Sequence, residues 1–174
     1  MARLSANGPG AELIVAGVGN DLSRDDAIGL RLLEAYGRQP PPAGVVTRVW
    51  ADADALTLAD NLLESDRPLL LVDCAAMGLE PGHWRLMRTG EITLACHGDA
   101  LSTHGLGVAE ALAIASELGR RSPVHLFGIQ PFDTSPGAGL SAGMQRRFAP
   151  LLAALGEAVT DLLEQPAARP GAVA

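Results

Sequence analysis

Aromatic residues make up only 3% of the 174 positions, so any core must be packed from Leu, Val, Ile and Ala. Cysteine occurs twice, at Cys74 and Cys96, too few for a disulfide framework. A reduced, cytoplasmic protein is the simplest expectation. No segment reaches the roughly 18 apolar residues of a spanning helix, and the N-terminal stretch MARLSANGPGAEL lacks the apolar centre of a signal peptide. No membrane association is therefore expected. Basic clusters are missing too. The formal net charge is -7, and no Arg or Lys stripe is present. Nucleic acid is not an expected partner, because phosphate contacts need gathered cations.

What is present is a globular composition, 48% hydrophobic and 19% charged. The length suits a single domain over residues 1–174. Residues 1–11, with Asn7-Gly8-Pro9-Gly10, and residues 165–174 are expected to be loose tails. The unbroken apolar runs Leu13–Val18, Leu69–Val72 and Val124–Ile129 predict strands buried on both faces, as in a parallel sheet. Val45–Trp50 predicts another strand, and Trp84–Met87 with Glu91–Cys96 a pair of short strands around Thr89-Gly90. Helices are expected after Ser23 or Asp25, over Asp52–Ser65, over Gly105–Leu118 and over Phe148–Leu163, with Gly137–Gly143 a flexible loop. Alternating strands and helices predict an α/β fold: a three-layer α/β/α sandwich around a twisted, mostly parallel five-stranded sheet.

Such sheets carry their working groups in the loops at the carboxyl ends of the strands. Asp26 follows the first strand, Asp73 ends the strand Leu69–Val72, and His104 lies between Glu91–Cys96 and the helix from Gly105. All three are predicted on one rim. Two carboxylates and an imidazole with open positions suit a divalent transition metal better than a closed structural zinc. Each also has a plain structural reading, as helix-start residue, turn former or cap neighbour. A second local set, Cys96, His97 and Asp99 with His104, ranks lower.

The rival chemistries fit poorly. In GVGNDLSRDDAIG the third glycine of a dinucleotide fingerprint is replaced by Leu22, and no phosphate-loop Lys follows. No G-x-S-x-G elbow occurs. Cys74 beside Asp73 and Cys96 beside His97 leave a thiol mechanism conceivable, although small apolar filling is the simpler role.

Four segments in order, GVGNDLSRDDAIG, LLLVDCAAMGLEPG, STHGLGVAEAL and HLFGIQP, resemble the nickel-iron hydrogenase maturation proteases. The resemblance runs from about Leu13 to the terminal helix. It implies a phosphorylase/hydrolase-like sandwich and an endopeptidase that trims the C-terminal extension of the hydrogenase large-subunit precursor. It also implies metal-site residues at Asp26, Asp73 and His104, with Asp25 as the helix-start residue. The metal would be nickel already held by the substrate, with no tightly bound cofactor, and the enzyme a monomer. Asn20, Asp52 and Gln130 are assigned to substrate contact. The chain departs from the family in lacking a glycine pair after the second strand, where it reads Ala51-Asp52-Ala53-Asp54. Two alternatives stand beside this one: a non-catalytic nickel-checking chaperone, and a nucleoside- or nucleotide-binding α/β enzyme.

Overall fold

Strand β1 (Leu13–Gly19) is the run LIVAGVG, and its first six residues are buried. A strand without a polar face must be covered on both sides, and the rest of the chain supplies the two covers. The computed structural model describes residues 13–96 and 103–164, with the side chains of residues 13–92 and 107–164. In chain order the further elements are α1 (Ile28–Tyr36), β2 (Val45–Ala51), α2 (Ala55–Leu63), β3 (Leu69–Cys74), β4 (Trp84–Arg88), α3 (Thr89–Cys96), α4 (Thr103–Glu117), β5 (Val124–Ile129) and α5 (Ala142–Glu164). The five strands form one sheet in the order β2-β1-β3-β5-β4. Its first four members are parallel, and β4 runs antiparallel to β5.

Alternate residues of each strand serve opposite layers. Leu13, Val15, Leu70, Val72 and Phe127 pack with Ile28, Leu32 and Leu33 of α1 and with Leu151, Leu155 and Val159 of α5. Ile14, Ala16, Leu69, Leu71 and Leu126 pack with Leu58 and Leu62 of α2, Ile92 of α3, and Val108, Ala111, Leu112 and Ala115 of α4. The three-layer sandwich expected from the sequence is thus present, and its core is nearly free of aromatics. Trp84 stacks on Phe127 with ring centroids 4.6 Å apart at the antiparallel edge.

Two local expectations are corrected. Residues 91–96 are not a strand but most of helix α3. The Glu91 carboxylate accepts the Arg88 N–H at 2.7 Å, the reaching-back half of a capping box, and this starts a helix where alternation suggested a strand. The loop expected at 137–143 is shorter, because α5 begins at Ala142, well before Phe148. Ser141 starts it: its hydroxyl accepts the Met144 N–H at 3.2 Å. Pro150, which suits a first helical turn, instead lies inside α5.

The wall that α2 gives the site is fixed from behind. Arg120 is 8% exposed, and its guanidinium donates to the carbonyls of Leu62, Ser65 and Arg67. Leu62 lies in the last turn of α2, whose carbonyls have no helical partner, and Ser65 and Arg67 lie on the way to β3.

Candidate functional site

Chain order and sheet order part company at β1. The connection through α1 goes to β2 on one side, while β3 lies on the other side of β1, so a crevice opens at their carboxyl ends. Two glycines shape it. Gly19 has φ of +148°, and a β-carbon there would run into the Asp26 carbonyl. A β-carbon on Gly29 would strike the carbonyls of both Val18 and Val72. The start of α1 is therefore set directly over the β1–β3 junction. Residues 24–27 form a 3-10 turn before it, carrying Asp25 and Asp26.

Asp26 and Asp73 are 1% and 3% exposed, and both line a cleft of about 590 Å³. The cleft is also bordered by Val18, Gly19 and Asn20, by residues 52–56 and Leu58, and by Gly107, Val108 and Glu110. Asp73 Oδ1 accepts the Cys74 N–H at 2.8 Å. That single donor does not offset burial and the charge of Asp26, which together push the Asp73 carboxyl up to about 8. Two neighbouring buried acids are a donor set in which a cation would compete with the proton.

Asp26 and Asp73 thus meet in one cleft, as the sequence predicted. His104 is the second residue of α4, whose Gly107, Val108 and Glu110 line the same cleft; its side chain lies outside the described residues. Its approach differs from the expected one, because helix α3 precedes it and not a strand. The second candidate set also lies outside them, since His97 and Asp99 and the Cys96 side chain are not described. Asn20 and Asp52 line the cleft, and Asn20 Oδ1 accepts the Leu22 N–H at 2.7 Å. Gln130 is not among the lining residues. Its Oε1 accepts the N–H groups of Met77 (2.7 Å) and Leu79 (3.2 Å), fastening the loop after β3. The Cys74 thiol is buried, and burial with the neighbouring acids pushes its pKa strongly up, so it is no nucleophile.

Asp25 stands in the first turn of the 3-10 helix, where a helix-start residue is expected, and its side chain reaches beyond it. Its buried carboxylate accepts the N–H of Phe132 (2.9 Å), Asp133 (3.0 Å) and Ser141 (2.7 Å), and the Ser141 hydroxyl (2.9 Å). Arg24 reinforces the join through Asp133, 3.2 Å away. Asp25 therefore ties the turn that carries Asp26 to the segment 132–141. Asp25→Ala would strand several buried donors, and a loss of about 2–4 kcal/mol is expected in urea unfolding.

A mostly parallel sheet with two buried acids in a cleft at its switch point, and among the described residues no accessible thiol, defines an α/β protein whose candidate site is built on carboxylates. The comparisons with known proteins agree. The family model for HycI-type hydrogenase maturation proteases matches residues 50–157. The chain is 33% identical over 141 residues to the hydrogenase expression/formation protein HupD of Bradyrhizobium diazoefficiens, covering 79% of this chain and 72% of that one. It is 26% identical over 160 residues to the hydrogenase 2 maturation protease of Escherichia coli, covering 89% and 97%. Its fold matches the E. coli hydrogenase maturating endopeptidase HybD with a TM-score of 0.73 at 26% identity, over 87% of this chain and 93% of that one. The chain belongs to the hydrogenase maturation protease family. It is a peptidase, and its partner is a hydrogenase. Membership decides against the chaperone and nucleotide-enzyme alternatives. Among the described residues no helix is long and apolar enough to cross a membrane.

Proposed function

We propose that this peptidase removes the C-terminal extension of a nickel-loaded hydrogenase large-subunit precursor, and that the nickel is what it reads. The observation that carries this reading is the pair of buried acids, Asp26 and Asp73, in one open cleft with the start of α4 beside it. Two neighbouring buried carboxylates repel when both are ionised, and a divalent ion brought by the precursor relieves that repulsion. Asp26, Asp73 and the His104 imidazole complete its coordination, which fixes the extension against the cleft. Water then attacks the reactive amide, the C–N bond breaks, and the proton passes to the departing amine. Asn20 and Asp52 contact the docked peptide. The protein works in the cytoplasm as a monomer, without a cofactor of its own.

The test is the mass of the nickel-loaded precursor after incubation with the purified protein. Loss of the extension is expected with the parent. Asp26→Ala and His104→Ala are expected to cut at least about 100-fold more slowly, as when an essential binding contact is removed. Unchanged cleavage by either variant contradicts the site assignment.

A further inference from the structure

Asp26 stands in a 3-10 turn that its own neighbourhood does little to hold. Neither Ser23 before that turn nor Ala27 before α1 supplies a side-chain cap. One backbone bond closes the turn locally, from the Asp26 N–H to the Ser23 carbonyl at 3.0 Å. The rest of its fixing comes from a distant stretch of chain. The Arg24 N–H donates to the Gly137 carbonyl at 2.9 Å, the Gly137 N–H to the Leu22 carbonyl at 2.8 Å, and the Asp25 N–H to the Asp133 carbonyl at 3.1 Å. The fully buried Asp25 carboxylate binds the same stretch with both oxygens. Oδ2 accepts from the Phe132 and Asp133 N–H groups and the Ser141 hydroxyl, and Oδ1 accepts the Ser141 N–H.

The two adjacent acids serve different sides of the turn. Asp26 lines the cleft, and Asp25 does not. Toward the sheet the turn is pressed against the end of β1, since a β-carbon on Gly19 would run into the Asp26 carbonyl. Asp26 is thus clamped between β1 and the segment 132–141, and Asp25 is the side chain that closes the clamp. Its oxygens are taken up by donors of the protein, so it acts through Asp26 and not on a ligand. A ligating carboxylate must be held to within about 0.5 Å of its working position. The groups that hold it therefore govern affinity as well.

We propose that Asp25 is a positioning residue for the reaction: without touching the cation, it sets how tightly the cleft binds one by holding Asp26 in register with Asp73. The inference rests on the proposed function above.

The test separates position from stability. Asp25→Ala and Leu155→Ala are both expected to destabilise the fold, but Leu155 is a buried core residue of α5, about 20 Å along that helix from Ser141. Binding of free nickel is followed by calorimetry at a temperature where circular dichroism shows the variants folded. Asp25→Ala is expected to bind at least about tenfold more weakly than the parent, the usual effect of losing a group that orients a ligand. Leu155→Ala binds as the parent does. Asp25→Asn falls between them, because its amide oxygen can replace Oδ2 and keep three of the donors. It carries the comparison alone if Asp25→Ala does not fold. Cleavage of nickel-loaded precursor follows the same order. Affinity unchanged in the Asp25 variants, or an equal fall in Leu155→Ala, overturns the proposal. A parent that binds no free nickel contradicts the cation reading of the cleft. Asp25 is then judged by cleavage, where a loss confined to its variants supports its role and equal rates overturn it. A parent that binds nickel with the expected order among variants but cuts nothing overturns the proteolytic reading alone.

Discussion

Asp73→Asn is expected to abolish processing while making the protein more stable. The carboxyl titrates near 8 in the folded chain against 3.8 without its surroundings, first because it is buried and then because Asp26 is charged. Between those values the folded state holds a proton that the unfolded state has released. Stability contributed by this group therefore falls as pH rises from about 4 to about 8. Asparagine keeps the acceptor for the Cys74 N–H and never ionises. The variant is expected to gain on the order of 1–3 kcal/mol over the parent at pH 8 and above, with little gain near pH 4. Urea unfolding at both pH values checks this. Processing of nickel-loaded precursor should fall at least about 100-fold, since an amide is a poor substitute for a carboxylate at a divalent ion. For the parent, binding of free nickel is expected to tighten as pH rises through about 8, because the ion must displace the Asp73 proton.

The second large effect is on folding. Gly29→Ala sets a methyl group against the carbonyls of Val18 and Val72, which are backbone atoms of two paired strands. Neither can yield without opening the β1–β3 ladder, in which Gly17 pairs with Val72. A loss of about 3 kcal/mol or more is expected, at the upper end of overpacking costs. The shift in urea midpoint measures it. If the variant still folds, precursor cleavage should be lost in the folded fraction too, because Asp26 lies only one turn away. Gly90→Ala is the contrast: its β-carbon would meet open space, and little change is expected.

The pattern of legible and hidden features follows from distance along the chain. Leu13–Val18 and Leu69–Val72 announce buried parallel strands, because no polar residue interrupts them. Asp26 and Asp73 then follow, since groups just beyond such strands gather at one edge. Asp25 carries no comparable signal. Its partners Phe132 and Ser141 are 107 and 116 positions away, and only the folded chain brings them to it. Arg120 is hidden for the same reason, its acceptors being 53 to 58 positions off. Residues 91–96 misled because Ile92, Leu94 and Cys96 alternate as in a strand, while Glu91 closes the Arg88 N–H and begins a helix. Gln130 stands at the end of β5, where rim logic suggests substrate contact, yet its side chain is taken up by the N–H groups of Met77 and Leu79.

The central claim is that Asp26, Asp73 and His104 converge on one cation. Anomalous diffraction from crystals of the protein soaked in nickel tests it most directly. The account predicts one principal ion in the cleft, with an oxygen from each aspartate and a ring nitrogen of His104 at about 2.0–2.2 Å, ordinary lengths for such bonds. Nickel seated elsewhere, or held by the aspartates with His104 turned away, would contradict it.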